Sequence, residues 1–180
     1  MKPSSILARL TTLCFAVAIA TVAKADLQQQ TDDVYAADYS ALDTCLSAAR
    51  SEQTAESCVG ITYQPCLARS AEGSRVGEAR CLNRELQVLE ILLQEQTLLL
   101  LEWGHAAARD AVGIGSITGS EYFANILEAE NLWRKNRAAQ CNMNMLRWGA
   151  GTIVTTDRPI CLARATARRI YSLRQEHWFR

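Results

Sequence analysis

The stretch GEARCLNRELQVLEILLQEQTLLLLEWGHAAARDA, residues 77–111, decides the fold. Leu82, Leu86, Leu89, Leu93, Leu100, Trp103 and Ala107 recur at helical spacing, with a break only at Gln96. That is the period of one face of an α-helix. Leu92, Leu98, Leu99 and Leu101 widen the stripe. A helix apolar over so much of its girth is expected to be covered on more than one side, with its leucines in the core. The alternative is an exposed face that meets a partner.

The same period recurs on both sides of this helix. Ala41, Leu42, Cys45, Leu46 and Ala49 share a face in a helix expected over 38–50. A second helix is expected over 52–67, weakened by Val59-Gly60-Ile61-Thr62-Tyr63. Residues 70–77 read as a loop. The glycine-rich run 113–120 reads as a helix stop followed by a start with Ser120 as N-cap. It lacks the strand and the G-K-[ST] ending of a phosphate cradle. Phe123, Ile126, Leu127, Glu130, Trp133, Arg137 and Cys141 line a helix over 121–147, and a last helix is expected over 160–176. No stretch alternates for long, and helix-forming residues dominate. The expected fold is therefore all-α: a bundle of helical hairpins.

The first residues read differently. Lys2 and Arg9 precede an uncharged, mostly apolar run from Leu10 to Val22, and Ala23-Lys24-Ala25 follows with small residues where a signal peptidase cuts. The run falls short of the roughly 20 apolar residues of a spanning helix. Residues 1–25 are thus expected to be a signal peptide, and 26–180 a single exported domain with no stable membrane insertion, periplasmic or secreted. Cys14 would leave with the signal, since bulky Leu13 does not suit a lipobox.

Six cysteines remain: Cys45, Cys58, Cys66, Cys81, Cys141 and Cys161. An even count in an exported chain reads as a disulfide framework. Metal ligation is less favoured, because no two cysteines form a tight C-x-x-C pair and the only histidines, His105 and His177, are distant in sequence. Six cysteines allow 15 pairings. Spacing suggests the sequential one, since each neighbouring pair flanks a polar or glycine-containing break. Each bridge would then close a loop worth about 3 kcal/mol in the chain-entropy model.

Charge is unevenly spread. From Asp26 to Leu132 there are 6 basic and 17 acidic residues, net −11; from Trp133 to Arg180 there are 10 basic and 2 acidic, net +8. Basic C-terminal helices packed on acidic N-terminal ones would explain this without a partner. Two displayed charged surfaces are the alternative.

No catalytic constellation is present: no H-E-x-x-H, no G-x-S-x-G, and no free thiol beside a base. Glu102, His105 and Asp110 are not singled out by any neighbour, and Glu128 and Glu130 diverge on their helix. The expectation is a protein-binding module rather than an enzyme, with no catalytic residue, cofactor or metal, and no nucleic-acid partner.

Two clusters carry more specific information. Trp133-x-x-x-Arg137-x-x-x-Cys141 places a tryptophan, an arginine and a cysteine on one helix face. Arg137 is expected to lie along the indole or to donate to carbonyls at a neighbouring helix end. In the second cluster, Cys161, Thr166, Arg169 and Leu173 follow one another at spacings of five, three and four, so that Thr166, Arg169 and Leu173 share a face. Between the clusters lies Gly149-Ala150-Gly151-Thr152. Helix-spaced side chains beside disulfides read as architecture.

Together these features resemble the LprI-like lysozyme-inhibitor family of exported bacterial helical domains, which join a tryptophan–arginine–cysteine helix, a glycine turn and a cysteine–threonine–arginine helix. Cys81-Leu82-Asn83-Arg84-Glu85-Leu86 resembles that family's second-cysteine helix start. The resemblance spans Cys66 to Leu173, with residues 38–65 as an additional N-terminal hairpin. Asn136 stands where the family often has tyrosine. The resemblance implies a protein partner, a lysozyme, and its inhibition. The loop from Trp148 to Arg158, with Arg147 beside it, is the candidate partner-binding element: Arg147, Trp148 and Arg158 would face the target. The alternative is a structural or envelope-stress protein with another partner.

Overall fold

A computed structural model describes residues 35–69, 74–110, 119–146, 149, 151 and 153–176. The expected signal peptide and the glycine-rich run 113–118 lie outside them. The chain divides into two units, Met1–Ala37 and Asp38–Arg180. Only the opening turn of the first helix is described in the former. Six helices are described: α1 over 35–48, α2 Glu52–Glu56, α3 Tyr63–Arg69, α4 Arg75–Asp110, α5 Gly119–Met145 and α6 Val154–Glu176. No strand occurs among the described residues.

The core lies between α4 and α6. Leu82, Val88, Leu89, Leu92, Leu93 and Leu100 of α4 are buried, as are Leu162, Ala163, Ala167, Ile170 and Leu173 of α6. Their three-and-four spacing gives each helix one apolar stripe, and burying the two together supplies the hydrophobic drive. The widened stripe is only partly core, however. Leu101 is buried, but Leu98 is 51% and Leu99 47% exposed, as is Ile91 at 43%. Leu98 lies nearly opposite Leu89 and Leu93 on the helix. Leu99 lies seven residues beyond buried Leu92 on the same side, so cover on that side ends between them.

The expected helix over 52–67 is broken in two. Ser51 and Thr54 form a capping box that starts α2: the Thr54 amide donates to Ser51 Oγ (3.2 Å) and the Ser51 amide to Thr54 Oγ1 (2.9 Å). Residues 57–62 then turn, and a fully buried acid captures the chain. Glu85 of α4, 1% exposed, accepts from the amides of Gly60 (2.6 Å), Thr62 (2.9 Å) and Tyr63 (2.8 Å) and from the Thr62 hydroxyl (2.7 Å). A carboxylate against the orphan amides of α3 replaces the helical bonds an unbroken helix would have made.

The disulfides are sequential, Cys45–Cys58, Cys66–Cys81 and Cys141–Cys161, with Cα separations of 5.8, 5.7 and 5.7 Å. They staple α1 to the turn after α2, α3 to α4, and α5 to α6.

The last two helices differ from expectation at their starts. α5 begins at Gly119, so Ser120 lies within its first turn. α6 begins at Val154 instead of 160, with Pro159 inside it. The Ile153 carbonyl accepts from the Thr156 amide (3.1 Å), the Asp157 amide (3.0 Å) and the Thr156 hydroxyl (3.0 Å), which closes the opening turn of α6. Pro159 is the sixth residue of the helix, past the four opening amides that need no i−4 partner, so it removes the bond an amide there would make to the Thr155 carbonyl.

Charge asymmetry is partly matched within the fold. Five ion pairs join the basic second half to the acidic first half: Arg134 and Arg137 to Glu90, Arg168 to Glu56, Arg169 to Glu130, and Arg174 to Asp43. Arg84 adds a bond from α4 to Asp38 of α1 at 2.6 Å.

Candidate functional site

The two sequence clusters meet where α4, α5 and α6 converge. Trp133 and Arg137 sit one turn apart on α5, and the Arg137 guanidinium lies 4.8 Å from the indole centroid. Its Nη1 donates to Glu90 Oε1 of α4 and to Thr166 Oγ1 of α6, both at 2.5 Å. Of the two alternatives the sequence left open for Arg137, it takes the indole face, and its hydrogen-bond partners are a carboxylate and a hydroxyl instead of helix-end carbonyls, because the antiparallel α5 and α6 bring their middles together. Thr166 is wholly buried and donates onward to the Leu162 carbonyl at 2.7 Å.

Arg169 of α6 approaches the same indole at 5.9 Å and donates to Glu130 of α5, which is 4% exposed. Arg134 binds the other oxygen of Glu90 at 2.6 Å. One carboxylate on α4 and one on α5 therefore bind three arginines around a single indole. Glu130 Oε2 and Arg137 Nε are buried without a protein hydrogen bond. This orphan acceptor and donor belong to one polar network in a region of low dielectric, where each charge depends on its neighbours. One turn beyond, Cys141–Cys161 locks the same pair of helices. A polar cleft of about 330 Å³ opens beside the junction, lined by Glu52, Trp133, Asn136 and the three arginines 137, 168 and 169.

Glu90, Glu130 and Glu85 were the functional-looking acids that sequence reasoning did not single out. Each carried a legible signal: an acid on an otherwise apolar helical face. Glu85 and Glu90 interrupt the leucines of α4, and Glu130 shares a face with Ile126, Trp133 and Arg137.

The proposed partner loop is shorter than expected. α6 takes up 154–158, so only 146–153 connect the helices. Gly149 has φ +62°, in the left-handed region that side chains disfavour, and is exposed, as is Gly151. The Gly151 carbonyl accepts from the Val154 amide at 3.2 Å. Arg158 is exposed on the helix rather than in the loop, with Nε donating to Asn142 Oδ1 of α5 at 3.1 Å. Arg147 and Trp148 lie outside the described residues, as does Thr152.

The start of α5 also departs from expectation. Ile126, Trp133, Arg137 and Cys141 point inward, but Phe123 and Leu127 are each 45% exposed. Pairing of Cys141 with Cys161 and of Glu130 with Arg169 sets an antiparallel register. In that register Phe123 falls level with the last described residues of α6. Gly104 of α4 admits Tyr122 here: a Cβ at Gly104 would lie 2.0 Å from a Tyr122 ring carbon. Trp103 meets the same ring edge-on at 5.9 Å.

Among the described residues no group of histidines, cysteines or acids is placed to hold a metal, and no helix is long and apolar enough to cross a membrane. No curated protein and no solved structure matches the chain. The family described as lysozyme inhibitor LprI matches residues 66–173, from the cysteine that opens the α3–α4 staple to the last core leucine of α6. With 108 of 180 residues matched, including the whole three-helix junction, the chain belongs to the LprI lysozyme-inhibitor family.

Proposed function

We propose that this protein is exported, loses residues 1–25, and acts in the periplasm or outside the cell by binding and inhibiting a lysozyme. The observation that carries the reading is the family match over 66–173. Three disulfides suit an oxidising compartment, and the N-terminal anatomy suits a cleaved signal. In this reading Trp133, Arg137, Thr166 and Arg169 hold the architecture. Arg137 and Arg169 are engaged with Glu90, Thr166 and Glu130, which leaves the target to be met elsewhere.

The element we assign to the target is the 146–153 connection, with Arg147 and Trp148. Cys141–Cys161 closes its base, so a short loop is held on two rigid helices, and pre-ordering lowers the entropy lost on binding. The mature net charge of −3, from 16 basic and 19 acidic residues, would favour association with a cationic enzyme.

The test is inhibition of c-type and g-type lysozymes by the oxidised protein, with reduced and alkylated protein as control. Inhibition lost on reduction and on replacing 147–152 by glycine and serine supports the reading. Inhibition that survives the loop replacement moves the target surface elsewhere, and no inhibition of either enzyme class refutes the function. N-terminal sequencing of protein from the periplasm checks cleavage before Asp26.

A second reading is favoured by one observation. Leu98 of α4 and Leu127 of α5 are exposed on a shared groove with Gln94, Thr97 and Asn131. An apolar strip of this kind suits an interaction protein with a different envelope partner. A monodisperse monomer that captures no periplasmic protein counts against it.

A further inference from the structure

A second cavity lies apart from the cleft beside the three-helix junction. It has a volume of about 590 Å³ and lies where the end of α1, the middle of α4 and the end of α6 meet. That volume is in the range of small-ligand sites, roughly 300–1,000 Å³. Leu46 and Ala49 give it an apolar floor, and its polar lining comes from Ser47, Arg50, Gln96, Tyr171, Arg174 and Gln175. Most of these residues fall outside the family-matched segment, which begins at 66 and ends at 173. The additional hairpin thus supplies one wall of the cavity.

Gln96 is the informative member. It occupies the one position where the leucine stripe of α4 breaks, it is 9% exposed, and its carboxamide has no partner among the described residues. A leucine there would continue the core. The carboxamide instead lines the cavity and offers it a donor and an acceptor. The side chains of Arg50, Tyr171 and Gln175 also have no hydrogen-bond or ion-pair partner among the described residues. Arg174, by contrast, is engaged: Nη2 binds Asp43 at 2.6 Å and Nη1 binds Ser47 at 3.0 Å. No acid lines the cavity among the described residues, and the exposed Arg50 guanidinium has no partner among them.

We propose that this cavity binds the acidic end of a peptide, with the carboxylate on Arg50, an adjacent peptide unit on the carboxamides of Gln96 and Gln175, and a small side chain on Leu46 and Ala49. A guanidinium presents a fork that matches a carboxylate. A carboxamide offers both the donor and the acceptor that a peptide unit requires. The site is independent of lysozyme inhibition, and failure of that activity leaves it untouched.

The experiment is an NMR titration of the oxidised protein with three probes: acetyl-trialanine with a free C-terminal carboxylate, acetyl-Ala-Glu-Ala-amide, and neutral acetyl-trialanine amide. At least one anionic probe is expected to bind saturably, with the neutral probe about tenfold weaker or more. Preference for the first assigns a chain terminus, and preference for the second an acidic side chain. Arg50→Gln and Gln96→Leu are each expected to weaken binding about fivefold or more. Gln96→Leu should leave Tm unchanged or raise it, because it completes the stripe; loss of binding then cannot be ascribed to unfolding. The proposal is overturned if neither anionic probe binds, if the neutral probe binds equally well, or if both variants bind like the parent.

Discussion

Replacing Glu85 with glutamine tests the buried acid that shapes the N-terminal half. Glu85 Oε2 receives three donors, from the Thr62 amide, the Thr62 hydroxyl and the Tyr63 amide, and Oε1 receives the Gly60 amide. A glutamine can keep its oxygen at the three-donor position. Its NH2 must then face the Gly60 amide, donor against donor. The variant loses one bond at 2.6 Å and the negative charge that strengthens the other three. Hydrogen bonds to a charged group contribute about 1.5–3 kcal/mol each, against about 1 for neutral ones. The expected loss is about 2–4 kcal/mol, since relaxation of the turn recovers part of the difference. For a chain of this size about 3 °C follows each kcal/mol, so Tm should fall by about 6–12 °C. Circular dichroism melts of the oxidised protein give that number. Amide exchange gives a local check: Cys66–Cys81 still tethers α3, so Gly60, Thr62 and Tyr63 should exchange about tenfold faster or more while the centre of α4 stays protected. A Tm within about 2 °C of the parent, with unchanged exchange at those amides, would refute the reasoning.

Three further outcomes follow from the same packing. Gly104→Ala gains helix propensity but drives a methyl into Tyr122, at 2.0 Å from a ring carbon; a net loss of about 1–3 kcal/mol is expected in urea unfolding, and an unchanged midpoint would show that α5 yields freely. Arg137→Lys keeps the charge but loses the planar contact with Trp133 and the shared donation to Glu90 and Thr166; since the side chain is only 10% exposed, a loss of about 1–3 kcal/mol is expected, whereas Arg134→Lys on the same carboxylate, 39% exposed, should cost under about 1 kcal/mol. Equal effects would contradict the junction. Tyr39 donates to Glu95 at 2.5 Å, and chiefly this bond, then burial, pushes its phenol from 10.0 up to about 12. The folded state holds that proton more tightly, so the stabilisation is fully present below pH 10 and is lost as pH rises from 10 through about 12. In an absorbance titration Tyr39→Phe should remove the latest-ionising phenol, and a parent whose phenols all ionise near 10 would rule the bond out.

The family-matched half of the fold was legible because its signals are local. Trp133, Arg137 and Cys141 at spacing four, and Thr166 and Arg169 at spacing three, fall on single helical faces whatever surrounds them. The charge imbalance also carried real information: five cross-half ion pairs engage half of the ten basic residues after Leu132. The break of the second helix at 57–62 was less legible. Val59, Gly60, Ile61 and Thr62 weakened the expectation, but the deciding group was Glu85, more than 20 residues away in sequence. Likewise Leu98, Leu99, Phe123 and Leu127 read as core by periodicity and are exposed, because periodicity reports which face a side chain shares and is silent on where the covering helix stops.

By itself, then, the sequence determined the helical class, the disulfide-bearing character and the faces on which the motif residues lie. These follow from a 3.6-residue period and from the identity of residues a few positions apart. Spacing suggested the sequential pairing among the 15 possible and the tertiary structure fixed it; tertiary structure alone decided which acids receive which arginines, and that Gln96 opens into a cavity. Those outcomes depend on the antiparallel register of α4, α5 and α6. Register is set by packing across the whole bundle, and no local window of residues contains it.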